Sequence, residues 1–222
     1  MAVLSLKNIC FAYDRTPVLQ DLSYDFEEGK MYCIIGKSGA GKTTLLSVLS
    51  GLASPTAGTI YYHGEDIKGI DKYQFRSKYI GVIFQSYNLL TKFTAVENVM
   101  LSMDIAGVKG VKKREKALSL LKSVGLDDEE ANRRVLKLSG GQQQRVAIAR
   151  ALSYDANIIL ADEPTGNLDS ETQEEIMGIF RTLARQGKCV ILVSHSPEVA
   201  SICDEKYELM RIQNTSKKKS AM

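Results

Sequence analysis

The sequence predicts an α/β fold, a mainly parallel sheet with a helical lobe inserted into it, and three observations predict it. A glycine-rich loop, Gly36-Lys37-Ser38-Gly39-Ala40-Gly41-Lys42-Thr43, joins the apolar run at residues 31–35 to an apolar-faced helix. Two short apolar runs, 158–161 and 189–193, suit parallel strands buried on both faces, and the segment between them reads as a helix. Between about Gln85 and Arg150 the apolar spacing is helical instead.

In chain order, residues 4–13 and 21–26 alternate as strands, and the turn Glu28-Gly29-Lys30 leads into the strand at 31–35. The helix from 43 to 49 carries Leu45, Leu46, Val48 and Leu49, and Gly51 ends it. Pro55, Gly58 and Gly64 bracket a strand at 59–62. Helices are expected at 96–105, 111–124 and 142–152. A further helix starts near Ser170, with Ser170 and Gln173 at capping-box spacing. One domain of 222 residues follows, its core at 1–85 and 155–213, its lobe at about 86–154, and a tail at 214–222 rich in lysine.

The glycine-rich loop has a direct chemical meaning. Glycines at 36, 39 and 41 let successive N–H groups turn inward as an anion nest, and the helix behind them points its positive end at the same place. Lys42 supplies a charge for β and γ phosphate oxygens, and the Thr43 hydroxyl suits a magnesium ion bridging them. The span from Gly36 to Thr44 is therefore read as a nucleoside triphosphate site, with Lys37, Ser38, Ala40 and Thr44 contributing to the cradle.

Downstream, the strand at 158–161 ends in Asp162 and Glu163. Successive side chains at a strand end point differently, so Asp162 can serve magnesium while Glu163 acts as base on the attacking water. The pair also suits a solvated acidic turn, and the phosphate loop upstream favours the catalytic reading. Leu138-Ser139-Gly140-Gly141-Gln142 places a capping serine and two glycines at a second helix start, another phosphate-binding N-terminus.

Ser139, Gly140, Gly141 and Gln142 resemble the signature motif of ATP-binding cassette (ABC) ATPases, and motifs of that family are spread over nearly the whole chain. The resemblance makes the nucleotide ATP and implies a P-loop NTPase core with an N-terminal antiparallel β subdomain. It also implies a head-to-tail homodimer in which each signature closes on the γ-phosphate held by the other subunit. Tyr13 resembles the aromatic residue that stacks on adenine. Gln85 resembles the glutamine reaching magnesium and water from the lobe's hinge, and His195 the switch histidine at γ-phosphate. Asn167-Leu168-Asp169 occupies the place of the loop touching the partner subunit, although helix capping also suits it. Lys37 departs from the usual uncharged residue.

Gln85-Ser86-Tyr87-Asn88-Leu89-Leu90, Glu97-Asn98-Val99 and Glu163-Pro164-Thr165-Gly166-Asn167-Leu168-Asp169 are similar to the exporter ATPases of the macrolide-export (MacB), lipoprotein-release (LolD) and cell-division (FtsE) group. That likeness implies a separate integral membrane permease with an extracytoplasmic domain, and a place at the cytoplasmic face of the cell membrane. The cargo implied is a macrolide, an antimicrobial peptide or a lipoprotein; force transmission in cell division, or a soluble non-transport ATPase, stays open. Tyr87, Leu89, Leu90 and Phe93 form an apolar cluster suited either to docking that partner or to packing the lobe.

Composition narrows the classes. A formal charge of +3 with both signs interspersed argues against a nucleic-acid partner, which needs a concentrated basic face. Cys10, Cys33, Cys189 and Cys203 have no metal-ligand spacing and read as reduced thiols. No apolar run reaches the roughly eighteen residues a membrane span needs.

Overall fold

The computed structural model describes residues 2–14 and 16–212. The lysine-rich tail expected at 214–222 lies outside them. Strand β1 (Ala2–Tyr13) pairs antiparallel with β2 (Thr16–Glu27). β3 (Met31–Ile35) feeds helix α1 (Lys42–Leu49), and β4 (Ala57–Tyr62) returns antiparallel to β1 and pairs with β5 (Glu65–Asp66). Without β3, these strands give a four-stranded sheet in the order β2-β1-β4-β5.

Helix α2 (Lys72–Gln74) runs into a π-helical turn, Phe75–Tyr79, ahead of β6 (Ile80–Ile83). Four helices follow: α3 (Ala95–Ile105), α4 (Lys113–Ser123), α5 (Asp128–Ala131) and α6 (Gly140–Leu152). The chain then alternates β7 (Ile158–Asp162), α7 (Ser170–Arg185), β8 (Cys189–Ser194), α8 (Pro197–Ser201) and β9 (Glu205–Glu208). The second sheet, ordered β6-β7-β8-β3-β9, is parallel throughout.

The two-residue period of a strand explains how one sheet serves two cores. Met31, Cys33, Ile159, Ala161, Val190 and Leu192 pack toward α3, α6 and α7, against Val99, Ile148, Ile176 and Phe180. Their neighbours Tyr32, Ile34, Ile158, Leu160, Ile191 and Val193 pack toward α1 and the antiparallel sheet, against Leu45, Leu49, Phe26 and Ile60. Apolar residues on both faces are what the continuous runs in the sequence require.

Registry positions the site. Ile35 lies opposite Ser194, and Asp162 opposite Val193, so β3, β7 and β8 end level at their carboxyl termini. In open α/β sheets that edge is where ligands bind.

Several elements depart from expectation. β2 begins at Thr16 rather than 21, because its pairing with β1 extends to the hairpin. β9 escaped notice because Glu205, Lys206, Tyr207 and Glu208 are mostly polar, as an edge strand allows. The capping box placed at Ser170 and Gln173 is not formed. Asp169 is the N-cap of α7, accepting from the Thr172 amide at 2.9 Å, and Ser170 lies inside the helix. A carboxylate one residue earlier is the stronger acceptor for the same orphan N–H groups. Gln173 instead donates to the carbonyls of Thr165 and Leu168, tethering the preceding loop. Capping boxes do form at Thr94 with Glu97 and at Ser139 with Gln142.

Candidate nucleotide site

The phosphate loop is shaped by two kinds of constraint. Gly39 and Gly41 have φ of 76° and 95°, a left-handed backbone that side chains resist. Gly36 is fixed by space, since a Cβ there would stand 2.6 Å from the Leu209 carbonyl oxygen. That carbonyl is held in place because the Leu209 amide donates to Ile35 at 2.7 Å. Helix α1 carries no acidic side chain of its own in its first turn, so the positive end of its dipole faces the loop. The Lys42 ammonium donates to the Gly36 carbonyl at 2.7 Å and approaches that of Lys37 at 3.4 Å, lying along the loop. Lys37 and Ser38 are exposed, Ala40 is buried against the core, and Thr44 is half-buried.

At the neighbouring strand end, Asp162 is 7% exposed and accepts a bond from the Thr43 hydroxyl at 3.0 Å. Burial, and then the adjacent Glu163 charge, push its carboxyl above the usual range, while the Thr43 bond and Lys42 act in the opposite direction. Two oxygens about 3 Å apart match one edge of an octahedron with 2.0–2.1 Å bonds, which is what Mg²⁺ demands. Two protein oxygens also suit an ion that keeps waters and takes its remaining ligands from phosphates. Among the described residues no cluster of three or more His, Cys, Asp or Glu offers a closed metal cage. Thr43 and Asp162 therefore fit magnesium.

Glu163 turns away from the strand with φ of 44°, its amide bonded to the Val193 carbonyl at 2.9 Å. Its carboxylate is gripped from β8. The Ser194 hydroxyl donates to it at 3.1 Å, the His195 amide at 3.4 Å, and His195 Nδ1 lies 2.8 Å away. The His195 side chain is 69% exposed against 12% for Glu163, so the carboxylate is sheltered while the imidazole reaches outward. Ser194, itself buried, was not anticipated; its only sequence signal is its position directly before His195 at the end of an apolar strand.

Gln85 is exposed in the turn after β6. Tyr13 is also exposed, at 55%, braced edge-on by Phe11 at 4.9 Å between ring centroids. Ser139 caps α6, accepting from the Gln142 amide at 3.2 Å, while Gln142 accepts from the Ser139 amide at 2.8 Å. The serine hydroxyl proton thus stays available for donation. Gln142 is occupied by this cap and by a bond to Glu130, so its part is to hold the serine. Gly141 is required by space: a Cβ there would meet Thr172 Cγ2 at 2.6 Å. Among the described residues no hydrogen bond or ion pair joins the Ser139 turn to the phosphate loop of the same chain. The two cradles are separate structures.

The apolar cluster beyond Gln85 divides. Tyr87 and Leu89 pack against the core, whereas Leu90 and Phe93 are 44% and 42% exposed. A groove of about 310 Å³ nearby is lined by Leu52, Arg76, Val82, Phe84, Asn88 and Tyr154, among others. The four residues singled out from the sequence are not among its walls. All four cysteines are free, and three are buried.

A phosphate loop level with an acid pair, on a parallel sheet carrying a helical lobe, defines a nucleoside triphosphatase of the P-loop class. The chain belongs to the ABC transporter family, whose profile matches residues 19–166, and is an ABC ATPase. It is 43% identical to the uncharacterized ABC transporter ATP-binding protein YclH of Bacillus subtilis (strain 168), across the full length of both chains. It is 41% identical to the macrolide export ATP-binding/permease protein MacB of Salmonella typhi, over 94% of this chain but 33% of that protein. The dimeric structure of MJ0796, a bacterial ABC transporter cassette, superposes with a TM-score of 0.85 at 37% identity, covering 93% of this chain and 94% of that one. A post-hydrolysis form of MJ0796 bound to ADP and Pi gives 0.86 at 36%, covering 95% and 97%. Among the described residues no helix is long and apolar enough to cross a membrane.

Proposed function

We propose that this chain is the ATP-hydrolysing subunit of an exporter or force-transmitting complex, working as a head-to-tail homodimer at the cytoplasmic face of the membrane and driving a separate permease. The observation that carries the reading is the Ser139 turn. It is an exposed, capped helix start with no acidic residue in its first turn, unconnected to the phosphate loop of its own chain. Such an N-terminus has use for a phosphate only if a second chain presents one.

In this account Tyr13 stacks on adenine, and residues 36–44 hold the triphosphate through main-chain N–H groups and Lys42. Thr43 and Asp162, with Gln85, would hold magnesium, and the ion would supply positive charge against that developing on the phosphates. Ser139 and the amides of Gly140 and Gly141 of the second chain donate to the γ-phosphate. The Glu163 carboxylate takes the proton of the attacking water, while His195, exposed beside it at the end of β8, contacts the γ-phosphate. Cleavage removes the bridge between subunits, and the pair reopens because its favoured state has lost its differential contact.

Two features support a membrane partner. Family relatives include a protein in which cassette and permease are one chain. The groove beside the Gln85 turn is mixed apolar and basic, walled by Leu52, Tyr154 and Arg76, and suits a short helix from a permease. By likeness to MacB the cargo is a macrolide, an antimicrobial peptide or a lipoprotein, and the permease carries an extracytoplasmic domain. Co-expression with a candidate permease that binds the native subunit tests this: Leu52→Asp should abolish copurification and leave ATP hydrolysis by the isolated subunit intact. Undiminished copurification excludes the groove.

A further inference from the structure

We propose that Arg150 is a positioning residue, fastening the Gln85 turn to the helix that carries Ser139 so that the halves of the catalytic apparatus on one chain move together. The inference rests on the composite-site reading above.

Arg150 lies near the far end of α6 from Ser139. Its guanidinium donates through one nitrogen to the Asn88 carbonyl at 2.5 Å and through the other to the Tyr87 carbonyl at 2.7 Å. No ion pair accompanies them among the described residues, and burial lowers the tendency of this guanidinium to stay charged. A cation kept half-buried for two main-chain carbonyls, where an apolar side chain would fill the space, holds those carbonyls in a fixed plane.

The carbonyls belong to an unusual piece of backbone. Tyr87 and Asn88 have φ of 61° and 48°, consecutive left-handed residues that are not glycine. L residues keep such a conformation where their surroundings impose it. The turn is closed by the Tyr87 amide donating to Phe84 at 2.9 Å, so the gripped carbonyls follow Gln85 by two and three residues. The other end of the same residue touches the other end of the same helix. The Tyr87 hydroxyl would lie 3.4 Å from a Cβ built on Gly140, beside Ser139. The turn is thus laid along α6, held by Arg150 at one end and packed on the signature turn at the other. Movement of Gln85 at one nucleotide therefore displaces Ser139 at the second.

The test compares Arg150→Lys and Arg150→Met by ATP turnover, ATP affinity and amide hydrogen exchange over residues 85–90 in nucleotide-free protein. Arg150→Met should lower kcat about tenfold or more, as small misplacements of catalytic groups do, with the ATP Kd changed less than about twofold. Its amides at 87 and 88 should exchange about tenfold faster. Arg150→Lys keeps the charge but reaches one carbonyl, and should recover part of both losses. Should Arg150→Met fail to fold, Arg150→Lys decides. A folded variant with normal turnover and normal exchange overturns the proposal. So does a lower melting temperature with kcat unaltered well below it. Faster exchange with unchanged kcat also overturns it while leaving the composite site standing, because the exchange readout needs no dimer.

Discussion

Gly141 offers a quantitative test of why the signature turn has glycine where it does. In Gly141→Ala the new methyl would stand 2.6 Å from Thr172 Cγ2, on the first turn of α7. Carbon atoms pack at about 3.5–4.0 Å, so α6 and α7 must part by about 1 Å. Overpacking of that kind costs about 1–3 kcal/mol. Exchanging glycine for alanine in a helix returns about 0.5–1 kcal/mol, so the single variant should lose up to about 2 kcal/mol net. Thr172→Ser removes only the offending methyl. Its hydroxyl keeps the bond to Asp169, now at 2.9 Å, and lies 3.7 Å from the added Cβ, an ordinary contact. On the Thr172→Ser background, Gly141→Ala should therefore be neutral to stabilising by up to about 1 kcal/mol. Urea unfolding of the four proteins gives the cycle, with an expected coupling of about 1–3 kcal/mol. Additive effects would refute the steric account and assign Gly141 wholly to phosphate approach.

Other outcomes follow from the same geometry. Glu163→Gln keeps the shape that meets Ser194 and the His195 amide, so it should bind ATP near normally yet lose 10²–10⁴-fold in hydrolysis, measured as phosphate release; turnover at the native rate would remove Glu163 from its role. Asp162→Asn should abolish magnesium-dependent hydrolysis yet raise the melting temperature in magnesium-free buffer at pH 7. The sign follows from the raised carboxyl: between its ordinary and its folded value the native state binds the extra proton, so stability falls as pH rises through that window and stays lowered above it. Asparagine can still accept from Thr43 and carries no charge, so a variant melting at or below the native protein at pH 7 contradicts the burial argument. Gly36→Ala, whose Cβ would press on the Leu209 carbonyl, should weaken ATP binding and lower the melting temperature together, checked by nucleotide titration and calorimetry; normal binding would show the loop free to move away from β9.

The parallel strands, the phosphate loop and the acid pair were legible because each rests on local rules: continuous apolar runs, glycine spacing and a strand end. The signature turn was legible for the same reason, as serine and two glycines before an apolar-faced helix. What escaped was set by contacts distant in sequence. Ser194 gains meaning only because β8 lies beside β7, 31 residues from the Glu163 it grips. The Arg150 bond to Asn88 spans 62 residues and uses main-chain acceptors, which no side-chain pattern announces. Asp169 displaced Ser170 as helix cap because both are good caps and neighbouring, and the backbone angles that choose between them depend on Gln173 holding the loop. The groove walls come from Leu52, Arg76, Val82 and Tyr154, which only the fold assembles.

The shared site can be tested by complementation. Lys42→Ala disables the phosphate loop, and Ser139→Asp keeps a good helix cap while setting a carboxylate against the γ-phosphate. Each protein alone should be inactive. Mixed in equal amounts, half the pairs contain one of each, and in those one site joins an intact loop to an intact signature turn. Phosphate release should then rise to about a quarter of the native rate. A mixture no more active than its two components would mean that each chain hydrolyses ATP with its own residues, and the head-to-tail account would fail.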